Sequence, residues 1–241
     1  MLVLGLDTSS PAVCAVLVRL GDGLEPELLA ESVVVDGRRH GELLACGVRE
    51  VLRGFRPAAL AAVVVGTGPG PFTGLRVGLV TAAAMGDALG IPAYGVCSLD
   101  ALAAQVTSGQ PVVAVADARR KEVYWASYAA GTRVEGPAVE RPGELAGRLH
   151  SGAYRTALAD EGSSVGGQDL PPVLVGSGAV LHREAFAGLD VLDELLHPSA
   201  FALVRLAAAR AWAGAPSEPL TPLYLRRPDA VTPGAAKKVT A

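Results

Sequence analysis

Cysteine is scarce in this chain: Cys14, Cys46 and Cys97 are the three in 241 residues. None makes a CxxC pair, and an odd number argues against a disulfide framework. Each sits in an apolar stretch, so buried, reduced thiols are expected. Basic clusters are scarce too. No run of Lys and Arg exceeds Arg119-Arg120-Lys121, and the net charge is −3. A chain that binds nucleic acid alone usually carries a basic stripe, so no independent nucleic-acid surface is expected.

No apolar run approaches the ~20 residues that span a bilayer. The opening MLVLGLDTSS lacks a basic n-region and meets Asp7 after six residues, unlike a signal peptide. The expectation is a cytoplasmic protein with no membrane contact. Metal-ligand spacing is missing as well. His40, His150, His182 and His197 form no i, i+4 pair and no HExxH, so neither a metal nor another cofactor is expected.

Glycine and proline, by contrast, are plentiful at 29 and 17, and half the residues are hydrophobic. That is a turn-rich globular composition, long enough for one large domain or two small lobes. LVLGLDTSS (2–10) predicts a strand ending in a turn, and AVCAVLVRL (12–20) a second strand. GDG (21–23) is a hairpin signal, and ELLAESVVV (27–35) predicts a third strand. From His40 to Phe55 apolar residues recur at three- and four-residue spacing, which predicts an amphipathic helix. LAAVVVG (60–66) reads as a buried strand, then come a glycine-rich helix, a strand in 91–98 and a helix in 99–106.

A second round begins near Pro111. VVAVADARRKEVYWASYAA (112–130) repeats the opening plan, with Asp117 in the place of Asp7. VLVGSGAVL (173–181) reads as a strand into a glycine turn, and SAFALVRLAAARAWAGA (199–215) as a long helix. The polar stretch 151–172 predicts an exposed loop. The duplicated βββαβα plan predicts an α/β fold of the two-lobed actin, hexokinase and Hsp70 (ASKHA) type. Its lobes are expected at 1–108 and 109–228, with a mobile tail at 229–241. A chance likeness between two strand-turn-strand pieces is the alternative that the sequence leaves open.

The glycine-rich stretch GTGPGPFTGLRVGLVTAAAMGDALG (66–90) suggests a phosphate loop, but the specific signals fail. It has no lysine, which a Walker A loop needs. A GxGxxG started at Gly66 or Gly68 puts Pro71 or Thr73 at the third glycine. Pro69 and Pro71 also remove two N–H donors from the turn. Gly74, Gly78, Ala82, Gly86 and Gly90 recur every four residues. The three interior glycines cost roughly 2–3 kcal/mol of helix propensity, so close packing is expected to offset them. The partner is either the protein's own elements or a second protein.

GTGPGPFTGLRVG (66–78), DARRKEVYWA (117–126), PLYLR (222–226) and, more loosely, RRHGELL (38–44) resemble the TsaB (YeaZ) family, from Met1 to about Arg227. The resemblance implies a non-catalytic relative of TsaD. TsaD is the subunit that forms N6-threonylcarbamoyladenosine in tRNAs reading codons that begin with A. It implies a heterodimer with a TsaD-like subunit, work alongside a TsaE-like ATPase, and tRNA reached only through the complex. A homodimer through the same face is the expectation when the partner is absent. The implied partner-binding face lies on the helices near 40–55 and 72–89, with Glu42, Leu43, Val48, Gly74, Arg76, Gly78, Ala82 and Gly86 as its residues.

Departures from the catalytic relative are legible. TsaD-like proteins carry an HxxxH metal pair where this chain has Ser98 and Leu102, and neither replaces an imidazole. Asp7, Ser9 and Asp117 mark a vestigial nucleotide cleft. There Asp7 either caps a turn or holds a solvated magnesium ion, and Arg119 and Arg120 stand where phosphate would lie. The enzymatic alternative is a small-molecule kinase of the same fold using ATP in that cleft. Ser9, Ser10 or Thr73 with His40 as base lacks an orienting carboxylate and an oxyanion hole.

Overall fold

The computed structural model describes residues 1–21, 26–152 and 171–226. Its first sheet is built from β1 (Leu2–Asp7), β2 (Ala12–Leu20), β3 (Pro26–Val35), β4 (Leu60–Gly66) and β5 (Ala93–Val96) in the order β3-β2-β1-β4-β5. β1 runs antiparallel to β2 and parallel to β4. The second sheet comprises β6 (Val112–Asp117), β7 (Val123–Ala129), β8 (Thr132–Glu140), β9 (Val173–Val175) and β10 (Asp190–Leu192). Its order is β10-β9-β6-β7-β8, again with an antiparallel first pair and parallel later strands. The repeated order is the duplicated α/β arrangement of the ASKHA fold, so the likeness between Asp7 and Asp117 is topological.

Helices α1 (His40–Val51), α2 (Phe72–Leu89), α3 (Ser98–Ala103), α4 (Pro142–His150), α5 (Ser177–Leu181) and α6 (Ala200–Trp212) cover both faces of the sheets. Burial on both faces explains why the central strands read as continuous apolar runs. Leu4, Leu6, Val63 and Val65 face α1 and α2 through Leu44, Val51, Leu75 and Leu79. On the other side Val3, Val16, Val18 and Val64 face Leu203, Val204 and Ala207 of α6. The second sheet packs Val112, Ala114 and Tyr128 on Leu99 and Leu102 of α3, and Val113, Val115 and Trp125 on Leu145 and Leu149 of α4. The helices are therefore exchanged. α3, from the first half of the chain, covers the second sheet, while α6, from the second half, covers the first.

Most predicted elements stand, with shifted ends. The first helix stops at Val51 and not at Phe55, and the chain then turns at Gly54, whose φ is +86°. Ser199 caps α6 by accepting the Ala202 amide. Residues 177–181 are helical where a glycine turn is expected. β8 is not legible in the sequence because TRVEGPAVE lacks strict alternation, and α4, only nine residues with two glycines, carries a weak helical signal. As a sheet edge, β8 tolerates its Gly136-Pro137 step. Cys14 and Cys97 are buried, but Cys46 is exposed on the outer side of α1, against expectation. Most of the predicted 151–172 loop, the 229–241 tail and most of the GDG turn lie outside the described residues. Among the described residues no helix is long and apolar enough to cross a membrane.

Candidate functional site

Asp7 ends β1 fully buried. Its Oδ1 accepts the Ser9 amide at 2.9 Å and the Ser9 hydroxyl at 2.8 Å, and its Oδ2 accepts the Ser98 hydroxyl at 2.7 Å. Ser98 Oγ in turn accepts the Gly68 amide at 3.2 Å. Burial pushes the Asp7 carboxyl above its ordinary 3.8, opposed by the bonds from Ser98 and Ser9. The carboxylate thus ties β1, the 66–71 loop and the start of α3 together. It is a buried structural centre and not an open ligand position, so Asp7 and Ser9 leave the expected nucleotide cleft. The reason is the loop itself. Gly66 lies so close that a Cβ there would stand 1.9 Å from Asp7 Oδ2, and one on Gly70 would stand 2.2 Å from the Ser9 carbonyl oxygen.

Thr8 enters α2. Its hydroxyl donates to the Gly74 carbonyl at 2.8 Å and accepts the Gly78 amide at 3.0 Å. A Cβ on Gly74 would meet the Thr8 carbonyl oxygen at 2.9 Å, and one on Gly78 the Thr8 hydroxyl at 2.6 Å. Gly74, Gly78, Ala82 and Gly86 are all buried against the protein's own first lobe. As surface contact residues these four are corrected: the small stripe admits Thr8, His40, Val65, the Ile91 carbonyl and the Ala93 methyl. His40 Nε2 donates to the Ser10 carbonyl at 2.9 Å, anchoring the start of α1 to the β1–β2 turn.

The opposite face of α2 is the exposed one. It carries Phe72 (52 % exposed), Arg76, Val80 (65 %), Ala83, Ala84, Asp87 and Ala88. On α1, Glu42 is exposed, whereas Leu43 and Val48 are half-buried and pack partly inward. Of the expected interface residues, only Glu42 and Arg76 are fully presented.

Asp117 does line an open cleft, a cavity of about 620 Å³ bounded by Gly70, Phe72, Arg119, Tyr124, Tyr224 and Arg226. Asp117 Oδ1 accepts the Arg119 amide at 2.8 Å and its Oδ2 pairs with Arg119 Nη1 at 3.3 Å. Arg119, Arg120 and Lys121 follow with φ of +62°, +54° and +61°, a left-handed run that costs roughly 1–2 kcal/mol per residue. Across the cleft the 220–226 strap is pinned by the Leu223 amide to the Thr67 carbonyl at 2.9 Å. Tyr224 stacks on Phe72 with ring centroids 5.0 Å apart and accepts from Arg76 Nε at 3.1 Å. The Arg76 guanidinium also lies 3.8 Å from the Phe72 ring centre. Arg226 reaches the β6–β7 turn, donating to Ala118 O at 3.0 Å and pairing with Glu122. Sequence reasoning missed Phe72, Tyr124 and Tyr224 as cleft residues. The PLYLR motif marked the strap without saying where it goes.

Over residues 27–213 the sequence matches the profile of a family described as TsaD: tRNA N6-adenosine threonylcarbamoyltransferase. The structure superposes on YeaZ from Pseudomonas aeruginosa with a TM-score of 0.71 and 29 % identity, covering 93 % of this chain and 99 % of that one. This chain belongs to the TsaB (YeaZ) family. An uncharacterized protein of Mycobacterium tuberculosis is 47 % identical over 230 residues, 95 % of this chain and 93 % of that protein. The TsaB of Bacillus subtilis, a tRNA threonylcarbamoyladenosine biosynthesis protein, is 31 % identical over 131 residues, 53 % of this chain and 55 % of its own. In this TsaB-family chain Ser98 is a hydrogen-bond donor to Asp7, and Leu102 is fully buried in the α3 contact with the second sheet.

Proposed function

We propose that the chain is a non-catalytic subunit in the formation of N6-threonylcarbamoyladenosine in tRNA. In this reading it docks a TsaD-like catalytic subunit through the outer faces of α1 and α2 and works alongside a TsaE-like ATPase. The observation that carries the reading is the outer face of α2. Val80 and a series of alanines are exposed there with Asp87 as the charged residue, a composition that suits burial in an interface. A stable contact of about 800 Å² per partner spans two such helices. Docking would act by favouring one conformation of the partner through differential affinity for its two states.

Asp7 supports a scaffold over a kinase. Its oxygens are spent on Ser9 and Ser98 inside the protein, so it offers no carboxylate to a magnesium–phosphate group. The decisive experiment combines depletion with reconstitution. Loss of the chain should abolish threonylcarbamoyladenosine in cellular tRNA while the TsaD-like protein persists. The purified chain should restore the reaction only when that protein is supplied. Unchanged modification by nucleoside mass spectrometry after depletion would reject the assignment.

A further inference from the structure

We propose that the cleft between the start of α2 and the β6–β7 turn is a binding site for unpaired nucleotides of single-stranded RNA. The proposal deepens the functional reading above and takes from it only that the nucleic acid is RNA; the site itself rests on geometry. The cavity of about 620 Å³ falls within the range of pockets that enclose a small ligand or a side group of a larger one. One wall is an aromatic pair, Phe72 and Tyr224, whose rings stack at 5.0 Å while remaining 52 % and 40 % exposed. Tyr124 lines the cleft as well. Exposed rings with a guanidinium alongside are what an unstacked base requires, and Arg76 supplies that guanidinium, 3.8 Å from the Phe72 ring centre.

Charge completes the site. Arg119 and Arg226 line the cleft, and Arg120 and Lys121 continue the same turn. Asp117 and Glu122 are the carboxylates of that turn, paired with Arg119 and Arg226. Arg119 and Arg226 line the cleft and Arg76 lies on its aromatic wall, so the fold brings together cations that are far apart in the sequence. A free nucleoside triphosphate fits less well. Gly70 lines the cleft and packs on Ser9, Pro69 and Pro71 lack N–H donors, and the Asp7 carboxylate is buried behind them. An acidic peptide would use the cations but leave the stacked rings without a matching face.

The test is fluorescence anisotropy of the full chain, without its partner, with a short fluorescein-labelled single-stranded RNA and the duplex of the same sequence. The expected result is preference for the single strand. Tyr224→Ala should weaken binding about tenfold, and Tyr224→Phe should retain most of it. Arg119→Gln with Lys121→Gln should flatten the slope of log affinity against log salt by roughly 0.7 for each phosphate no longer neutralised. That surface pair keeps the test decisive if melting curves show Tyr224→Ala to be unfolded. Equal binding of duplex, no effect of the folded variants, or displacement by polyglutamate as readily as by unlabelled RNA would overturn the proposal. So would displacement by magnesium–ATP at lower concentrations than RNA. Because no partner is present, failure here leaves the reconstitution result untouched, and the converse also holds.

Discussion

The Thr8 hydroxyl accepts the Gly78 amide at 3.0 Å while donating to the Gly74 carbonyl one turn earlier. A strand-end side chain is thus keyed into the backbone of α2, and the glycines that weaken this helix locally are what allow the key to fit. Gly78→Ala gains about 1 kcal/mol of helix propensity but must displace Thr8, whose oxygen stands 2.6 Å from the new Cβ. A net loss of about 1–2 kcal/mol is expected, visible in the melting of the isolated chain. In a Thr8→Ala background the same substitution should cost far less, a coupling that a double-mutant cycle measures. Additive losses would show that Thr8 is not the obstacle.

Asp7 gives the chain a pH signature. Burial holds its pKa above 3.8, so between that value and the raised one the native state binds a proton that the unfolded chain has released. The contribution is complete below about pH 3.8 and is lost as pH rises through the folded value. Asp7→Asn removes this titration. The stability of the natural chain relative to the variant should therefore fall as pH rises from about 4 and level off above the folded pKa. Denaturant melts across that range would show a constant difference if Asp7 did not titrate this way.

Thiol chemistry separates the cysteines. Burial raises the Cys14 thiol, and raises Cys97 to about 11, whereas Cys46 is exposed. In native protein near neutral pH a maleimide should label Cys46 quickly and Cys14 and Cys97 only on unfolding. Rapid labelling of Cys14 or Cys97, located by peptide mass spectrometry, would contradict the packing of both sheets.

The proposed docking face has its own variant. Val80→Asp changes a 65 % exposed side chain, so the melting temperature should move little. Buried at an interface the new carboxylate lacks a partner, and affinity for the TsaD-like subunit should fall at least tenfold, about 1.4 kcal/mol or more. Calorimetry or co-purification checks this. Unchanged affinity would move the interface off α2.

Much of this architecture was legible in the chain because strong local signals and tertiary demands coincide. Strands buried on both faces read as apolar runs, α2 begins after Pro71 and ends at Gly90, and the repeat around Asp7 and Asp117 announced the two sheets of the same order. The direction of the small-residue stripe was not legible. Spacing says that four small residues share a face, but only Thr8, brought from 66 residues away, says that the face points inward. The exchange of α3 and α6 between the sheets, and the meeting of Phe72 with Tyr224 and Arg76, likewise depend on where distant segments pack. Periodicity and turn chemistry act over a few residues, so the sequence by itself determined the elements and their order. Which surfaces remain outside, and which cations share a cleft, was decided by tertiary packing, because those contacts join segments that no local pattern connects.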